Sequence, residues 1–346
     1  MTSLRIRRPD DFHLHLRQHE MLAIVLPASG HHFARGLVMP NTDPPIANAH
    51  LLAEYRSKIE SVNRWPFEPL MTIKITERTD EKTVRLASDA GAVAGKLYPR
   101  GVTTNSADGV DDIDDLYPTF AAMDEVGMVL CVHGEKPDTF CLDREEAFLR
   151  ENLNRITSAF PTLRIVVEHA STAVAVNWVR EHRTSTGTST VAATITVHHL
   201  VLTLDDVVGD LLSPHNFCKP LAKRPEDRSA LIEAATSGDS AFFLGTDSAP
   251  HSRGAKECAS GCAGVFTASV ALPVLAQVFE AAGALDRLEQ FASVSGARFY
   301  NLPLNEGTLL LQRQPWQVPD EYQGIVPFLA GRHLDWSVPT ANHDEG

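Results

Sequence analysis

Two histidines stand two positions apart in a short apolar run, "RRPDDFHLHLR" at residues 7–17, with paired aspartates before them and Arg17 behind. On a strand, alternate residues share a face, so the imidazoles of His13 and His15 point the same way. Charged, two such neighbours repel; neutral, they take space that apolar side chains fill better. Two readings fit: structural histidines bonded to nearby carbonyls, or two ligands of one metal ion. A lone HxH does not decide between them. Residues able to complete a site recur at the ends of later apolar runs. They are Asn41 in "VMPNTDPP", Lys96 in "AVAGKLYP", His133 in "GMVLCVHG", Glu168 and His169 in "LRIVVEHA", and Asp247 in "AFFLGTD".

Each has a structural alternative. Lys96 can snorkel to solvent, Asp247 can cap a turn, and a histidine at a strand end is often just hydrogen-bonded. These alternatives are independent accidents, whereas a shared metal centre explains all of them together. Imidazoles and a carboxylate without thiolate suit zinc, manganese or iron, with zinc the default. Four histidines and an aspartate exceed one open tetrahedral site and fit two ions sharing a hydroxide. Two dications call for an anionic bridge, and an ammonium at Lys96 beside them would lose its proton. The neutral amine could take up carbon dioxide as a carbamate, a step the residues alone do not force. Arg17 offers a planar fork of donors suited to a carboxylate. His31, His32, His50, His182 and His215 read as structural; His198 and His199, near a strand end, stay open.

The elements that must position these groups alternate along the chain. Strand-like runs cover 11–16, 35–40, 70–75, 92–99, 127–134, 163–170, 191–199 and 241–247; most are rich in Val, Ile and Leu, as in parallel strands covered on both sides. Helical patterns cover 49–63, 80–91, 114–127, 143–160, 171–183, 225–238 and about 265–282, while 19–29 is a poorer helix because Pro27 interrupts it. Eight β units, most followed by a helix, predict an α/β fold, a (β/α)8 TIM barrel, whose active site lies at the carboxyl ends of the strands. A doubly wound sheet more often carries a glycine fingerprint after its first strand, and "DFHLHLR" is none. Residues 1–346 read as one barrel domain, with 305–346 a C-terminal extension of short strands packed on it.

With 346 residues, 43% of them hydrophobic and 22% charged, the chain has the material for one large core. A net charge of −13 argues against nucleic acid or an anionic membrane as partner. Five irregularly spaced cysteines and the absence of an apolar signal core in "MTSLRIRRPDD" fit a reduced, cytoplasmic enzyme.

Taken together, "FHLHLR", "VMPNTDPP", "GKLYP…TTNS", "VHGE", "EHAST" and "LGTDSAPH…GCAG" resemble the shorter, homodimeric dihydroorotases of the amidohydrolase superfamily, from about residue 5 to residue 340. The resemblance implies a reversible, zinc-dependent hydrolysis of the cyclic amide of (S)-dihydroorotate to N-carbamoyl-L-aspartate, the third step of pyrimidine biosynthesis run towards ring closure. It implies two zinc ions per subunit, one held by His13, His15 and Asp247, the other by His133 and His169, bridged by carboxylated Lys96 and a hydroxide. Asp247 is then the catalytic proton carrier. Arg17, Asn41 and His251 take the substrate carboxylate, Thr103 and Thr104 lie on a lid, and Lys219 and Ala263 meet the ring through backbone atoms. Lys219 stands where the resemblance leads one to expect an apolar side chain. Hydantoinases and allantoinases share the ligand order; they usually carry an added β-sandwich, and the carboxylate trio favours dihydroorotate.

Overall fold

The computed structural model describes residues 2–103, 106, 109–182 and 189–339. Eight strands form one parallel sheet in sequential order: β2 (Asp10–Leu14), β3 (Arg35–Val38), β4 (Glu68–Ile75), β5 (Ala92–Leu97), β6 (Val129–His133), β7 (Ile165–Glu168), β8 (Val191–Ile195) and β9 (Phe242–Leu244). They are preceded by β1 (Ser3–Arg7), which pairs antiparallel with β10 (Thr308–Gln312). The sheet closes on itself beyond β9. There Leu14 and Ser248 form a parallel bridge, Asp247 N donates to His13 O at 2.8 Å, and His15 N donates to Ser248 O at 3.0 Å. This is the expected (β/α)8 barrel; seven of the expected strands lie within three residues of their place, while the run expected over 191–199 is strand only over Val191–Ile195 and turns from there.

Side-chain parity organises the barrel. One core cluster takes Phe12, Leu37, Leu70, Ala94, Val129, Val166, Ala192 and Phe243, one residue from each strand, and is floored by Ala297 and Tyr300. Phe12 stacks on Tyr300 with ring centroids 4.9 Å apart. These residues fill the lumen. The intervening positions, such as Ile73, Leu97, Leu130, Val132, Ile165, Val167 and Leu244, belong to the larger cluster between strands and helices. Both faces of each strand are therefore apolar, which is why the strands lack polar alternation.

Two helices differ from the sequence expectation. The helix His19–His32 runs through Pro27 without ending. Proline costs it one backbone hydrogen bond, but Leu22, Val25, Leu26, Ser29 and Gly30 are buried along it, and that tertiary packing offsets the local penalty. The helix expected from 265 starts only at Ala271. Val265 and Phe266 are instead held extended by bridges to Ser248 and Pro327. The C-terminal residues beyond β10 add β11 (Trp316–Gln317) paired with β12 (His333–Leu334), and Trp336 is buried with its Nε1 donating to Glu280 Oε2 at 3.1 Å.

Candidate active site

The lumen-facing parity of each strand, continued past the apolar layer, delivers the polar groups. From Ala94 the same face leads to Lys96 and Tyr98; from Val129 and Cys131 to His133; from Val166 to Glu168; from Phe243 to Asp247. On β2 the register shifts between Asp11 and Leu14. That irregularity lets Phe12 fill the lumen while His13 and His15, both on the other parity, also turn inward, a known use of bulges beside active sites. His169 and Asp247 take left-handed backbone, each with φ 44°, as does Arg17 with φ 57°. Such conformations cost of order 1–3 kcal/mol each and persist where surrounding structure imposes them. Gly245 permits the close approach: a Cβ there would stand 2.9 Å from His13 Cβ.

The groups converge on one carboxylate. His15 Nε2 lies 3.1 Å and His13 Nε2 3.5 Å from Asp247 Oδ1. The rings of His13 and His15 are 5.4 Å apart, those of His13 and His169 5.1 Å, and those of His133 and His169 4.6 Å. Ligand atoms of His13, His169 and Asp247 all lie within 4.8 Å of one another. Two further carboxylates orient the rings from behind: Glu168 Oε2 is 2.8 Å from His13 Nδ1, and Glu135 Oε2 is 2.8 Å from His133 Nε2. Asp11, one of the paired aspartates, accepts from Thr246 N at 2.8 Å, Thr246 Oγ1 at 2.6 Å and His13 N at 3.2 Å, tying β2 to the segment that carries Asp247.

Electrostatics favours lone pairs over protons here. Burial lowers the pKa of His13, and His15 and His169 lie well below the usual imidazole range, through burial and then the charges of Arg17 and His133 respectively. Burial lowers Lys96 and raises Asp247. Glu168 is held down at about 2: burial opposes this, but His13 and Lys96 outweigh it. The Lys96 Nζ is buried and has no hydrogen-bond partner among the described residues, nor has His169 Nδ1. An orphaned buried amine, neutral imidazoles and an aspartate converging on a common point are the donor set of a metal centre. The residues fit one.

A second cluster does not. His198, His199 and Cys218 also bring ligand atoms within 4.8 Å. Yet His199 Nδ1 is 2.8 Å from Thr196 Oγ1 and its Nε2 3.1 Å from Pro220 O, so both ring nitrogens are committed. The histidines read as structural behave so; His32 Nδ1, for example, lies 3.1 Å from Ala268 O and His182 Nδ1 2.8 Å from Trp178 O.

Beside the cluster, Arg17 Nη2 lies 3.0 Å from His251 Nε2, and Arg17 Nε donates to Pro250 O at 2.9 Å. His251 Nε2 is also 3.1 Å from Ala263 O. One cavity is lined by Arg17, Asn41, Thr103, Lys219 and Ala263 together with His13, His15, His133, His169 and Asp247. Thr104 lies outside the described residues. Three participants escaped the sequence reading: Tyr98, Glu135, and Glu168 as the partner of His13. Tyr98 lines the cavity with a buried hydroxyl that has no partner among the described residues, and its place two residues beyond Lys96 is the signal that points to it.

The amidohydrolase family model matches residues 11–319. The curated dihydroorotase of Teredinibacter turnerae is 45% identical over 344 residues, 97% of this chain and 98% of the relative. That of Shewanella frigidimarina is 45% identical over 99% of this chain and 100% of the relative. Among solved structures, the dihydroorotase of Saccharomyces cerevisiae, in complex with 5-fluoroorotic acid, superposes with a TM-score of 0.92 at 35% identity, covering 98% of this chain and 99% of that one. The dihydroorotase of Campylobacter jejuni gives 0.90 at 39% identity over 98% of each chain. The L-hydantoinase of Arthrobacter aurescens, at 17% identity and a TM-score of 0.81, shares the fold. This chain belongs to the dihydroorotases of the amidohydrolase family.

Proposed function

We propose that the protein hydrolyses the cyclic amide of (S)-dihydroorotate to N-carbamoyl-L-aspartate and, in the biosynthetic direction of pyrimidine formation, closes that ring. The observation that carries this reading is the shared cavity: a carboxylate-binding guanidinium at Arg17 and the His–Asp247 cluster line the same space.

Two zinc ions would fit this donor set: His13, His15 and Asp247 would hold one, His133 and His169 the other, and carboxylated Lys96 would serve both. Bound there, they would supply Lewis acidity to the ring carbonyl and make water a nucleophile at neutral pH. Lys96 is suited to its part because burial favours its neutral amine. Uptake of carbon dioxide forms an N–C bond, releases one proton and leaves an anion where two cations need one.

The chain's own residues do the rest. Arg17, with Asn41 and His251, fixes the substrate carboxylate and so orients the ring amide towards Asp247. In hydrolysis, water oxygen bonds to the carbonyl carbon, and Asp247 takes the water proton. The C–N bond then breaks, and Asp247 delivers that proton to the departing ring nitrogen. Glu168 and Glu135 hold His13 and His133 in one tautomer each. Thr103 borders the cavity, and its loop is the candidate lid that limits water. Lys219 and Ala263, which line the same cavity, would meet the ring through backbone atoms.

The test is turnover by purified protein of dihydroorotate, hydantoin and allantoin, each with and without a chelator. Dihydroorotate turnover that chelation abolishes is expected. Preference for hydantoin or allantoin, or full activity after metal removal, overturns the reading.

A further inference from the structure

Lys256 is a buried cation that the chemistry above does not use. It ends the short helix Arg253–Lys256, and its side chain lies almost wholly inside the protein. Its Nζ donates to Phe217 O at 2.9 Å and to Gly264 O at 2.6 Å. Gly264 N donates to the same Phe217 oxygen at 2.9 Å, and the Phe217 ring centroid is 5.9 Å from Nζ. Among the described residues no carboxylate pairs with it. Burial lowers its pKa to about 8.

Burying an ammonium without a counter-ion is costly, and an apolar side chain would fill the same volume without that cost. What the ammonium adds to the single backbone bond between Gly264 and Phe217 is a second tie, to a carbonyl of each loop at once. One loop, after β8, carries Phe217, Cys218, Lys219 and Pro220; the other, after β9, carries Ala263 and Gly264. Lys219 and Ala263 both line the cavity that Arg17 borders. Gly264, at φ 144°, is seated so tightly that a Cβ would stand 2.5 Å from Ala249 O, just past Asp247. The second loop is thus packed against the segment after β9 on one side and joined to the first loop on the other, by the Gly264 N–Phe217 O bond and by Lys256.

We propose that Lys256 is a positioning residue for substrate binding: its ammonium ties the loop of Lys219 to the loop of Ala263 and sets the width of the ring-binding side of the cavity. This rests on reading that cavity as the dihydroorotate pocket. Lys256 touches neither the metal-fitting residues nor the substrate carboxylate site, so its loss acts on ring binding before it acts on chemistry.

The experiment compares wild type, Lys256→Met and Lys256→Arg in steady-state kinetics with dihydroorotate, metal content per chain and amide hydrogen exchange. Lys256→Met is expected to raise KM about tenfold or more with kcat within about threefold and metal content unchanged. Exchange is expected to quicken at 217–220 and 262–264 and not across the barrel. Lys256→Arg keeps two donors and is expected to recover part of the KM loss. A folded Met variant with KM and exchange like wild type overturns the proposal. So does a rise of KM accompanied by comparable losses of kcat and metal content with exchange raised throughout, the mark of a merely structural lysine. If Lys256→Met does not fold, Lys256→Gln, which can reach one carbonyl only, carries the same comparison. Should wild type fail to turn over dihydroorotate, the functional reading falls, while the exchange data still decide whether Lys256 joins the two loops.

Discussion

Glu168 Oε2 sits 2.8 Å from His13 Nδ1 and 2.6 Å from the Thr194 hydroxyl, sealed in the barrel interior. The pairing puts the His13 proton on Nδ1 and leaves the Nε2 lone pair facing Asp247. Glu168→Gln keeps the shape but removes the charge that holds this tautomer. Metal affinity is expected to fall about 10–100-fold, measured by titration of the demetallated protein, while circular dichroism stays that of wild type. Unchanged affinity would show that Glu168 only fills space.

Lys96 is buried, and among the described residues its amine has no hydrogen-bond partner. Lys96→Ala is expected to lose turnover by at least about a hundredfold, as metal sites deprived of a supporting anion do, and to retain less metal. Normal turnover in that variant removes the carbamate from the mechanism.

Arg17 reaches the cavity from a left-handed backbone position and is held by Pro250 O and His251. Arg17→Ala is expected to weaken dihydroorotate binding by about 2–4 kcal/mol, the range for a desolvated charge-assisted pair, with metal content unaltered. Equal loss of metal and substrate affinity would place Arg17 in the scaffold instead.

Asp247→Asn retains a ligand oxygen and the backbone bond to His13 but no proton acceptor. Turnover at neutral pH is expected to drop by about 10²–10⁴ with part of the metal retained. Rapid hydrolysis by this variant would assign the proton transfer elsewhere.

Glu145 is buried, accepting from Ser171 N at 2.9 Å and from the Thr172 hydroxyl, and burial raises its pKa to about 7. A carboxyl raised in the folded state binds more protons there than when unfolded between pH 4.5 and 7. Its contribution to stability therefore declines as pH rises through that window. Removing it by Glu145→Gln is expected to shift stability relative to wild type by about 2–3 kcal/mol in the variant's favour between pH 5 and pH 8, read by urea denaturation at both. A pH-independent difference would refute the assignment.

How much of this was legible beforehand depends on the range of the interaction. The apolar runs and their spacing announced eight strands, because parallel strands covered on both faces must be hydrophobic throughout. They also placed His13, Lys96, His133, His169 and Asp247 at strand ends, where barrel chemistry collects. Local propensity misread Pro27, since packing along the helix His19–His32 outweighs one lost hydrogen bond. It also began the last long helix too early, because Val265 and Phe266 are claimed by partners distant in sequence.

The sequence by itself determined which residue types could act, and their order, since composition and period are properties of the chain alone. Only the tertiary structure decided which nitrogen of His13 and of His133 is taken by a carboxylate, that Glu168 and Glu135 stand behind them, and that Lys256 bonds to carbonyls 39 and 8 residues away, those of Phe217 and Gly264. The physical reason is that hydrogen-bond direction and desolvation depend on neighbours brought together by barrel closure, and no local pattern encodes who those neighbours are.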